Sequence, residues 1–388
     1  MSDTEKDRIF QLHAHHTGVL NIQSQLEVHN RQDLARAYTP GVAFLSQEIA
    51  KNPRLKRQYT LSGKLIVLIT DGSAVLGLGN LGPAAGLPVI EGKALLYKDL
   101  AKVNALPLAL DQVPVDEAVA TIKNISQTFA GIHLEDIAAP RCFEIETQLS
   151  QALSIPVYHD DQEGTAIVVL AGLLNAVQVV GKELTQAHIV INGVGASGYA
   201  TARLLHAIGV QHLTLVDIHG VITPDDRRYN RYQRQLAQEL HTAPAQKGQT
   251  LTDVIAHQDI FIGLSDQNVL QPADVQQMNK QPIIFALANP VPEIAPAKAV
   301  QAGAAVVATG SSKYPNQVNN VLVFPGLFKG LLQSSLEQVD YGLQLLVAQK
   351  LAQLTAQPDA KHIIADVFDP RVVASVSQAV AQYAQKGK

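Results

Sequence analysis

The chain has few of the features of exported, membrane-bound or nucleic-acid-binding proteins. Cys142 is the single cysteine in 388 residues, which excludes an intrachain disulfide and predicts a reducing, cytoplasmic location. The 30 Lys and Arg against 34 Asp and Glu leave no excess of positive charge for nucleic-acid phosphates. The start, MSDTEKDRIF, lacks the basic and apolar regions of a signal peptide. The most apolar run, 165–180, is shorter than a bilayer span, so we expect a buried helix and no membrane partner.

The length and the order of apolar runs predict an α/β fold of two domains. A chain of 388 residues is too long for one ordinary core. Short apolar runs alternate with helical stretches, which is typical of parallel sheets with crossover helices. We predict an N-terminal α/β domain over 1–163 that carries a substrate and metal site. Residues 164–388 are predicted to form a Rossmann-type, doubly wound parallel sheet with C-terminal helices.

Carboxylate pairs follow two predicted strands of the first domain. Glu135 and Asp136 come shortly after the apolar run 129–132, and Asp160 and Asp161 follow 155–158. Ligands of α/β sheets bind beyond the carboxyl ends of the strands, so the two pairs could converge on one cation. Several carboxylate oxygens are what Mg²⁺ or Mn²⁺ prefers. The alternative is that both pairs are solvated turn residues, since Asp favours turns and helix N-caps.

Further candidates for catalysis lie upstream of these pairs. The glycine-rich segment 76–86 either lets the backbone approach a ligand or serves turns, and a helix is predicted to begin after Gly92. On that helix Lys93 either reaches out to water or is buried near a cation, which lowers the pKa of a lysine and permits general-base catalysis. A Thr-Pro-Gly turn places Tyr38 at the end of a helix, although a buried structural tyrosine is the alternative.

The second domain opens with a dinucleotide-binding pattern. A strand predicted at 187–192 leads into GVGASG and then into a helix, and the next strand ends at Asp217, where a dinucleotide fold needs a carboxylate for the adenosine ribose. No Arg directly follows Asp217, which favours NAD over NADP, although Arg227 and Arg228 lie downstream. A Rossmann-like domain without cofactor is the alternative. The candidate cofactor residues of the glycine-rich turn are Gly193, Gly195, Ala196, Ser197 and Gly198.

Seven segments between Tyr38 and about Lys329 resemble the malic enzymes, specifically their short bacterial class. They are AYTPGVA, TDGSAVLGLGNLGPAAGLPVIEGKALLYK, GIHLEDIAAPRCFEIE, IPVYHDDQEGTAIVVLAGLLNA, NGVGASGYA, ALANPVPEI and YPNQVNNVLVFPG, in this order. The resemblance implies oxidative decarboxylation of L-malate to pyruvate and CO₂ with NAD and a divalent metal, Mg²⁺ or Mn²⁺. It also implies small-molecule partners, namely malate, oxaloacetate and pyruvate, and a homodimer.

The resemblance assigns a role to each candidate residue. It makes Lys93 the general base and Tyr38 the general acid, with Asp160 beside the metal in the same site. Asn289 matches a residue of both the substrate and the cofactor site, and Asn320 matches a substrate contact. From the sequence alone, a turn former is favoured over a donor to a carboxylate at each position. The implied metal ligands are Glu135, Asp136 and Asp161.

The sequence departs from the family pattern at a few positions. Ser73 stands where long-chain members have an arginine that grips the substrate, and Glu163 stands where a histidine is common and adds charge near the metal. Ser311 and Lys313 replace an Arg and an Asp. The alternative function is an oxaloacetate decarboxylase of the same family with little net redox activity; a non-catalytic sensor is a third hypothesis.

Overall fold

The computed structural model describes residues 3–75, 77–240 and 246–386. Leu76, with which the predicted glycine-rich segment begins, therefore lies outside the described residues. The described parts form two parallel-sheet units, one of four strands and one of six, preceded by a helical segment. The predicted α/β class with a Rossmann-type second unit is confirmed.

Residues 3–60 contain four helices, with an irregular stretch at 17–30 between the first two, and these helices bury no side chain completely. Asn30 caps the second helix by accepting hydrogen bonds from the two N–H groups at 32 and 33. The helices are α1 (Asp3–His16), α2 (Arg31–Ala37), α3 (Gly41–Lys51) and α4 (Lys56–Tyr59).

The first sheet has four parallel strands, and both of its faces are covered by helices. Its spatial order is second, first, third and fourth strand in chain order, so the first and third strands are central. The strands are β1 (Leu65–Thr70), β2 (Asn104–Ala109), β3 (Gly131–Glu135) and β4 (Val157–His159). The helices of this unit are α5 (Pro83–Leu96), α6 (Val115–Ile125) and α7 (Arg141–Ala152).

Two sequence-based boundaries in this unit are wrong. Strand β3 continues to Glu135 instead of ending at 132, because His133 is buried and makes two hydrogen bonds instead of ending the apolar run. Helix α5 begins at Pro83, within the predicted glycine-rich segment, and not after Gly92. A proline at the first helical position has no N–H to lose and has the right φ, which explains the earlier start.

The second sheet has six strands in the order β10-β9-β8-β5-β6-β7. Five strands are parallel, whereas the two-residue β7 pairs antiparallel with β6, a small departure from the predicted all-parallel sheets. The strands are β5 (His188–Asn192), β6 (His212–Asp217), β7 (Gly220–Val221), β8 (Ile260–Gly263), β9 (Ile283–Ala286) and β10 (Val306–Thr309). The helices are α8 (Thr165–Val180), α9 (Ala196–Ala207), α10 (Arg231–Glu239), α11 (Leu251–Val254), α12 (Pro272–Gln277), α13 (Pro296–Gln301), α14 (Phe324–Leu332), α15 (Tyr341–Ala352) and α16 (Arg371–Lys386).

Helix α8 lies in the core that the two sheets share. The segment Asp160–Val180 is long and apolar enough to cross a membrane, but 67% of its apolar window is buried inside the protein. Side chains of α8 belong to the same buried cluster as Ile66 of the first sheet and Ile189 of the second. The predicted buried helix is therefore confirmed, while the division of domains after residue 163 stays a prediction.

Candidate active site

The carboxyl ends of β3 and β4 bring four carboxylates to one place beside a lysine. Glu135 is the last residue of β3, and Asp160 and Asp161 begin a π-helical turn directly after β4. The Nζ atom of Lys93, on α5, lies 2.7 Å from Glu135 Oε1 and also contacts Asp160 Oδ2. The Lys93 side chain is 11% exposed, so its ammonium group is held between two buried carboxylates.

These neighbours reverse the effect that burial was expected to have on Lys93. Burial alone would lower the pKa of this lysine, but the charges of Asp160, Glu135 and Asp161 outweigh burial and raise the pKa above its ordinary value. These carboxylates hold Lys93 as an ammonium. The expectation that a nearby cation lowers the pKa of Lys93 stays a prediction.

Three of the carboxylates have the spacing of a cation site. One oxygen from each of Glu135, Asp136 and Asp161 lies within 4.8 Å of the others. Two oxygen ligands 2.0–2.6 Å from one Mg²⁺, Mn²⁺ or Ca²⁺ ion are at most about 4–5 Å apart, so this spacing is compatible with one shared cation. The N–H of Asp136 donates to Asp161 Oδ2 at 2.9 Å, which ties the two strand ends together. The three side chains therefore fit a hard divalent cation.

Asp160 is oriented by groups on its own segment. Tyr158 donates its hydroxyl hydrogen to Asp160 Oδ1 at 2.6 Å, which leaves Oδ2 for Lys93. A Cβ on Gly164 would collide with both the Tyr158 hydroxyl and the Asp160 carboxylate, so the close approach of this turn requires glycine. Asp160 is thus fixed as the partner of Lys93, separate from the three-oxygen group of Glu135, Asp136 and Asp161.

Two buried residues next to this cluster were not predicted from the sequence. Tyr97 and His133 share a hydrogen bond of 2.9 Å, and His133 makes a second one of 2.9 Å to Glu135 Oε2. Burial, together with the nearby charge of Lys93, lowers the pKa of His133 well below its ordinary value. Spacing could have identified both: Tyr97 is four residues after Lys93 on a helix, and His133 is two residues before Glu135 on a strand, so each pair shares a face.

The turn after β1 braces the acidic segment. Ser73, noted as a departure from the family pattern, accepts a hydrogen bond of 2.8 Å from the N–H of Ala138. Arg141 Nε donates to Asp71 Oδ2 at 2.9 Å. These contacts fix the segment that follows Asp136 against the end of the first strand.

Glu163 lies apart from the Lys93 cluster. Its carboxylate accepts a hydrogen bond of 2.9 Å from the N–H of His159. With Glu146 and Arg203 it lines a cavity of about 260 Å³ formed by side chains of both units. Burial and the neighbouring Glu146 raise the pKa of Glu163 well above its ordinary value. Glu163 therefore takes up a proton more readily than an exposed glutamate, contrary to the added negative charge that the sequence suggested.

The glycine-rich turn after β5 forms a cradle with open space. A Cβ on Gly198 would collide with the carbonyl oxygen of Gly193, so close packing requires glycine there, whereas a Cβ on Gly195 would meet nothing within 4 Å. Ala196 and Ser197 begin α9, where free N–H groups and the helix dipole favour an anion. This is the geometry that a dinucleotide pyrophosphate needs.

Asp217 lies beside this turn at the end of β6. Its Oδ2 accepts hydrogen bonds from the N–H of Val194 at 3.1 Å and from Gln233 Nε2 at 2.9 Å. Its Oδ1 accepts one from the N–H of Ile218 at 2.7 Å. The carboxylate is therefore held next to the cradle, as the βαβ pattern predicts.

Three predicted site residues lie outside the network of hydrogen bonds and ion pairs that the described residues form around Lys93. Asn289 follows β9 on an exposed turn, and Asn320 begins a half-buried 3₁₀ turn. Tyr38 ends α2, as predicted, but its side chain is 65% exposed. Over 3–75, 77–240 and 246–386, none of the three has a hydrogen bond, ion pair or ring contact to Lys93 or to its carboxylate partners.

Two protein-family models match most of the chain. The model for the malic enzyme N-terminal domain matches residues 17–150, and the model for the malic enzyme NAD-binding domain matches residues 162–385. The gap between the two matches, residues 151–161, lies just before α8.

Relatives and solved structures agree with these matches. An NAD-dependent malic enzyme of Geobacillus stearothermophilus is 44% identical over 382 residues, 98% of this chain and 79% of the relative. A bifunctional malic/malolactic enzyme of Bacillus subtilis is 44% identical over 384 residues, 98% of this chain and 93% of the relative. The crystal structure of an NAD-dependent malic enzyme from Thermotoga maritima has a TM-score of 0.92 at 39% identity, covering 96% of this chain and 98% of that one.

Proposed function

The chain belongs to the malic enzyme family, and from that premise we propose that it catalyses the oxidative decarboxylation of L-malate to pyruvate and CO₂ with reduction of NAD⁺. The observation that carries the proposal is the buried cluster in which Lys93 contacts Glu135 and Asp160 at the strand ends. A buried lysine among carboxylates, with a dinucleotide cradle on the second sheet, provides a candidate base and a binding site for a hydride acceptor.

The residues of the cluster have separate roles in this proposal. Lys93 accepts the proton of the C2 hydroxyl while the C2 hydride passes to NAD⁺, and Asp160 holds the Lys93 amine in place. Bound by Glu135, Asp136 and Asp161, a divalent cation would supply positive charge to the substrate oxygen and against the Lys93 ammonium, which favours the neutral amine. Mg²⁺ and Mn²⁺ both suit three carboxylate oxygens.

The cofactor residues are proposed from the cradle. Gly193, Gly195 and Gly198 let the backbone approach the pyrophosphate, and the N–H groups of α9 at Ala196 and Ser197 hold it. Asp217 would accept hydrogen bonds from the adenosine ribose hydroxyls, and its negative charge disfavours a 2′-phosphate there, which supports NAD over NADP. Asn289 and Asn320 are proposed to donate hydrogen bonds to the substrate.

Tyr38 is proposed as the acid that protonates C3 after CO₂ leaves, and its exposure supports a homodimer. Large apolar side chains are exposed along the same N-terminal segment, with exposed fractions of 74% for Phe10, 89% for Ile22 and 67% for Phe44. An exposed apolar surface of this kind is typical of a protein interface. We propose that a second copy of the chain covers it; light scattering of the purified protein should give a dimer mass. The cytoplasmic location also remains a proposal.

The second candidate function is a decarboxylation without net oxidation or reduction. The alternative from the sequence is an oxaloacetate decarboxylase with little net redox activity, and one relative is named a bifunctional malic/malolactic enzyme, which favours measuring lactate as well. Both candidates need the same carboxylates and Lys93. The intact cradle and Asp217 favour net reduction of NAD⁺.

The test is a product analysis with purified protein, Mn²⁺ and L-malate or oxaloacetate. NAD⁺ and NADP⁺ are compared with malate at equal concentrations, while pyruvate, lactate and reduced cofactor are measured. We expect pyruvate and NADH from malate and a higher kcat/KM with NAD⁺. Oxaloacetate consumption or lactate formation without NADH from malate would refute the redox assignment, and a strong preference for NADP⁺ would refute the role of Asp217.

A further inference from the structure

Two successive hydrogen bonds connect Tyr97, through His133, to the Oε2 atom of Glu135. Tyr97 and His133 are both 0% exposed, and the Tyr97 hydroxyl lies 2.9 Å from His133 Nδ1. The other ring nitrogen, His133 Nε2, lies 2.9 Å from Glu135 Oε2. Glu135 thus faces Lys93 with Oε1 and the imidazole with Oε2.

The chemistry of the three groups determines which atom donates in each of the two hydrogen bonds. The Lys93 ammonium lies 2.7 Å from Glu135 Oε1, and this ion pair holds Glu135 as a carboxylate. A carboxylate only accepts hydrogen bonds, so His133 Nε2 carries the hydrogen that it donates to Glu135. A neutral imidazole with hydrogen on Nε2 has a lone pair on Nδ1, and the Tyr97 hydroxyl therefore donates to it. Tyr97 therefore donates to His133, and His133 donates to Glu135. The tyrosine thus selects the tautomer with hydrogen on Nε2, which holds the carboxylate.

Surrounding rings hold the imidazole in this orientation. Its centroid lies 5.5 Å from the ring of Tyr158, 5.7 Å from Phe324 and 6.2 Å from Phe328. Because these rings and Tyr97 enclose it, His133 cannot rotate away without displacing a packed aromatic side chain. The hydrogen bond to Glu135 is therefore imposed by the fold.

We propose that Tyr97 and His133 are positioning residues that hold Glu135 with Oε1 turned towards Lys93 and the cation, and that they thereby set the cation affinity of the site. The inference rests on the proposed divalent-cation site and assigns a role to two residues that the sequence analysis did not identify. A hydrogen bond to one oxygen of a liganding carboxylate fixes its orientation, and removing such a bond usually costs 10- to 100-fold in affinity or activity.

The experiment measures the Kd of Mn²⁺ for the purified full chain, without substrate, by electron paramagnetic resonance of free Mn²⁺. His133→Phe keeps a ring in the aromatic cage and removes both hydrogen bonds, so we expect Kd to rise about 10- to 100-fold. His133→Gln retains an amide N–H for Glu135 and should recover part of the loss. Tyr97→Phe removes one hydroxyl and should raise Kd about fivefold. Tyr229→Phe is the matched control: it loses a buried hydroxyl bond of 2.7 Å to Gly220 on the second sheet and should not change Kd.

A double variant and the midpoint of thermal unfolding distinguish a positioning role from a purely structural role. If the two residues act as one unit, Tyr97→Phe should add nothing in the His133→Phe background. Unchanged Mn²⁺ affinity in folded His133→Phe, with a lowered thermal midpoint, would show a structural role and refute the proposal. If His133→Phe does not fold, Tyr97→Phe decides the outcome by the same criterion. Failure of the unmodified chain to bind Mn²⁺ would instead refute the cation site itself.

Discussion

Replacing Lys93 by methionine tests the electrostatics of the cluster. The Lys93 ammonium lies 2.7 Å from Glu135 Oε1 and contacts Asp160, and these two carboxylates are at most 2% exposed. The variant keeps most of the side-chain volume but leaves the two carboxylates without their cation. Breaking a buried ion pair by removing one partner usually costs about 3–5 kcal/mol. Because about 1 kcal/mol shifts the midpoint of a domain of this size by roughly 2–4 °C, we expect the midpoint to fall by roughly 6–20 °C.

The assay is thermal unfolding of both proteins, first with a chelator and then with saturating Mn²⁺. Without Lys93 the carboxylates should bind the divalent cation more tightly, so Mn²⁺ should raise the midpoint of the variant more than that of the unmodified chain. Lys98→Met is the control, since Lys98 is exposed and, among the residues that the structure describes, donates to Asn104 alone, at 2.8 Å. A change within about 0.5 kcal/mol is expected. Two results would refute the reasoning. One is a Lys93→Met variant as stable as Lys98→Met, and the other is a difference in midpoint between Lys93→Met and the unmodified chain that Mn²⁺ does not reduce.

Three further predictions concern the cation, the cofactor and pH. Asp136→Asn should weaken Mn²⁺ binding at least about tenfold in a titration, because a charged ligand is lost. Gly195→Ala should leave stability unchanged, since its Cβ meets no protein atom within 4 Å, but should raise the calorimetric Kd of NAD⁺ about tenfold or more by filling the cradle. Burial raises the pKa of Glu293 from its ordinary 4.5 to about 7, so the folded chain keeps a proton that the unfolded chain releases in this window. The contribution of Glu293 to the free energy of unfolding should therefore fall by about 2.5 kcal/mol from pH 5 to pH 8, and Glu293→Gln should not show this loss in denaturant titrations. Stability of Glu293→Gln that falls equally with pH, full NAD⁺ affinity in Gly195→Ala or full Mn²⁺ affinity in Asp136→Asn would contradict these expectations.

The sequence predicted the parts of the fold that depend on local pattern. The alternation of apolar runs with helices predicted two parallel sheets, and the glycine spacing placed the cradle before α9, with Asp217 one strand later. These features depend on short-range rules of backbone conformation, so they can be predicted without knowledge of the tertiary contacts.

The features that were missed depend on contacts between distant segments. His133 looked like the end of an apolar run, yet its partners Tyr97 and Glu135 satisfy it inside the sheet. The pKa of Lys93 follows from its distances to three carboxylates, which no spacing in the sequence provides. Tyr38 was correctly placed at a helix end, but its exposure in the single chain could not be read from the turn that follows it.

The central claim is that this chain oxidises and decarboxylates malate at the Lys93 cluster. The most direct measurement is the simultaneous release of NADH and CO₂ from L-malate with NAD⁺ and Mn²⁺, for the unmodified chain and for Lys93→Ala, with NAD⁺ affinity determined for both. The account predicts equal amounts of NADH and CO₂ from the unmodified chain. Lys93→Ala should form neither product while it binds NAD⁺ nearly as well. CO₂ without NADH from the unmodified chain, or turnover in Lys93→Ala, would contradict it.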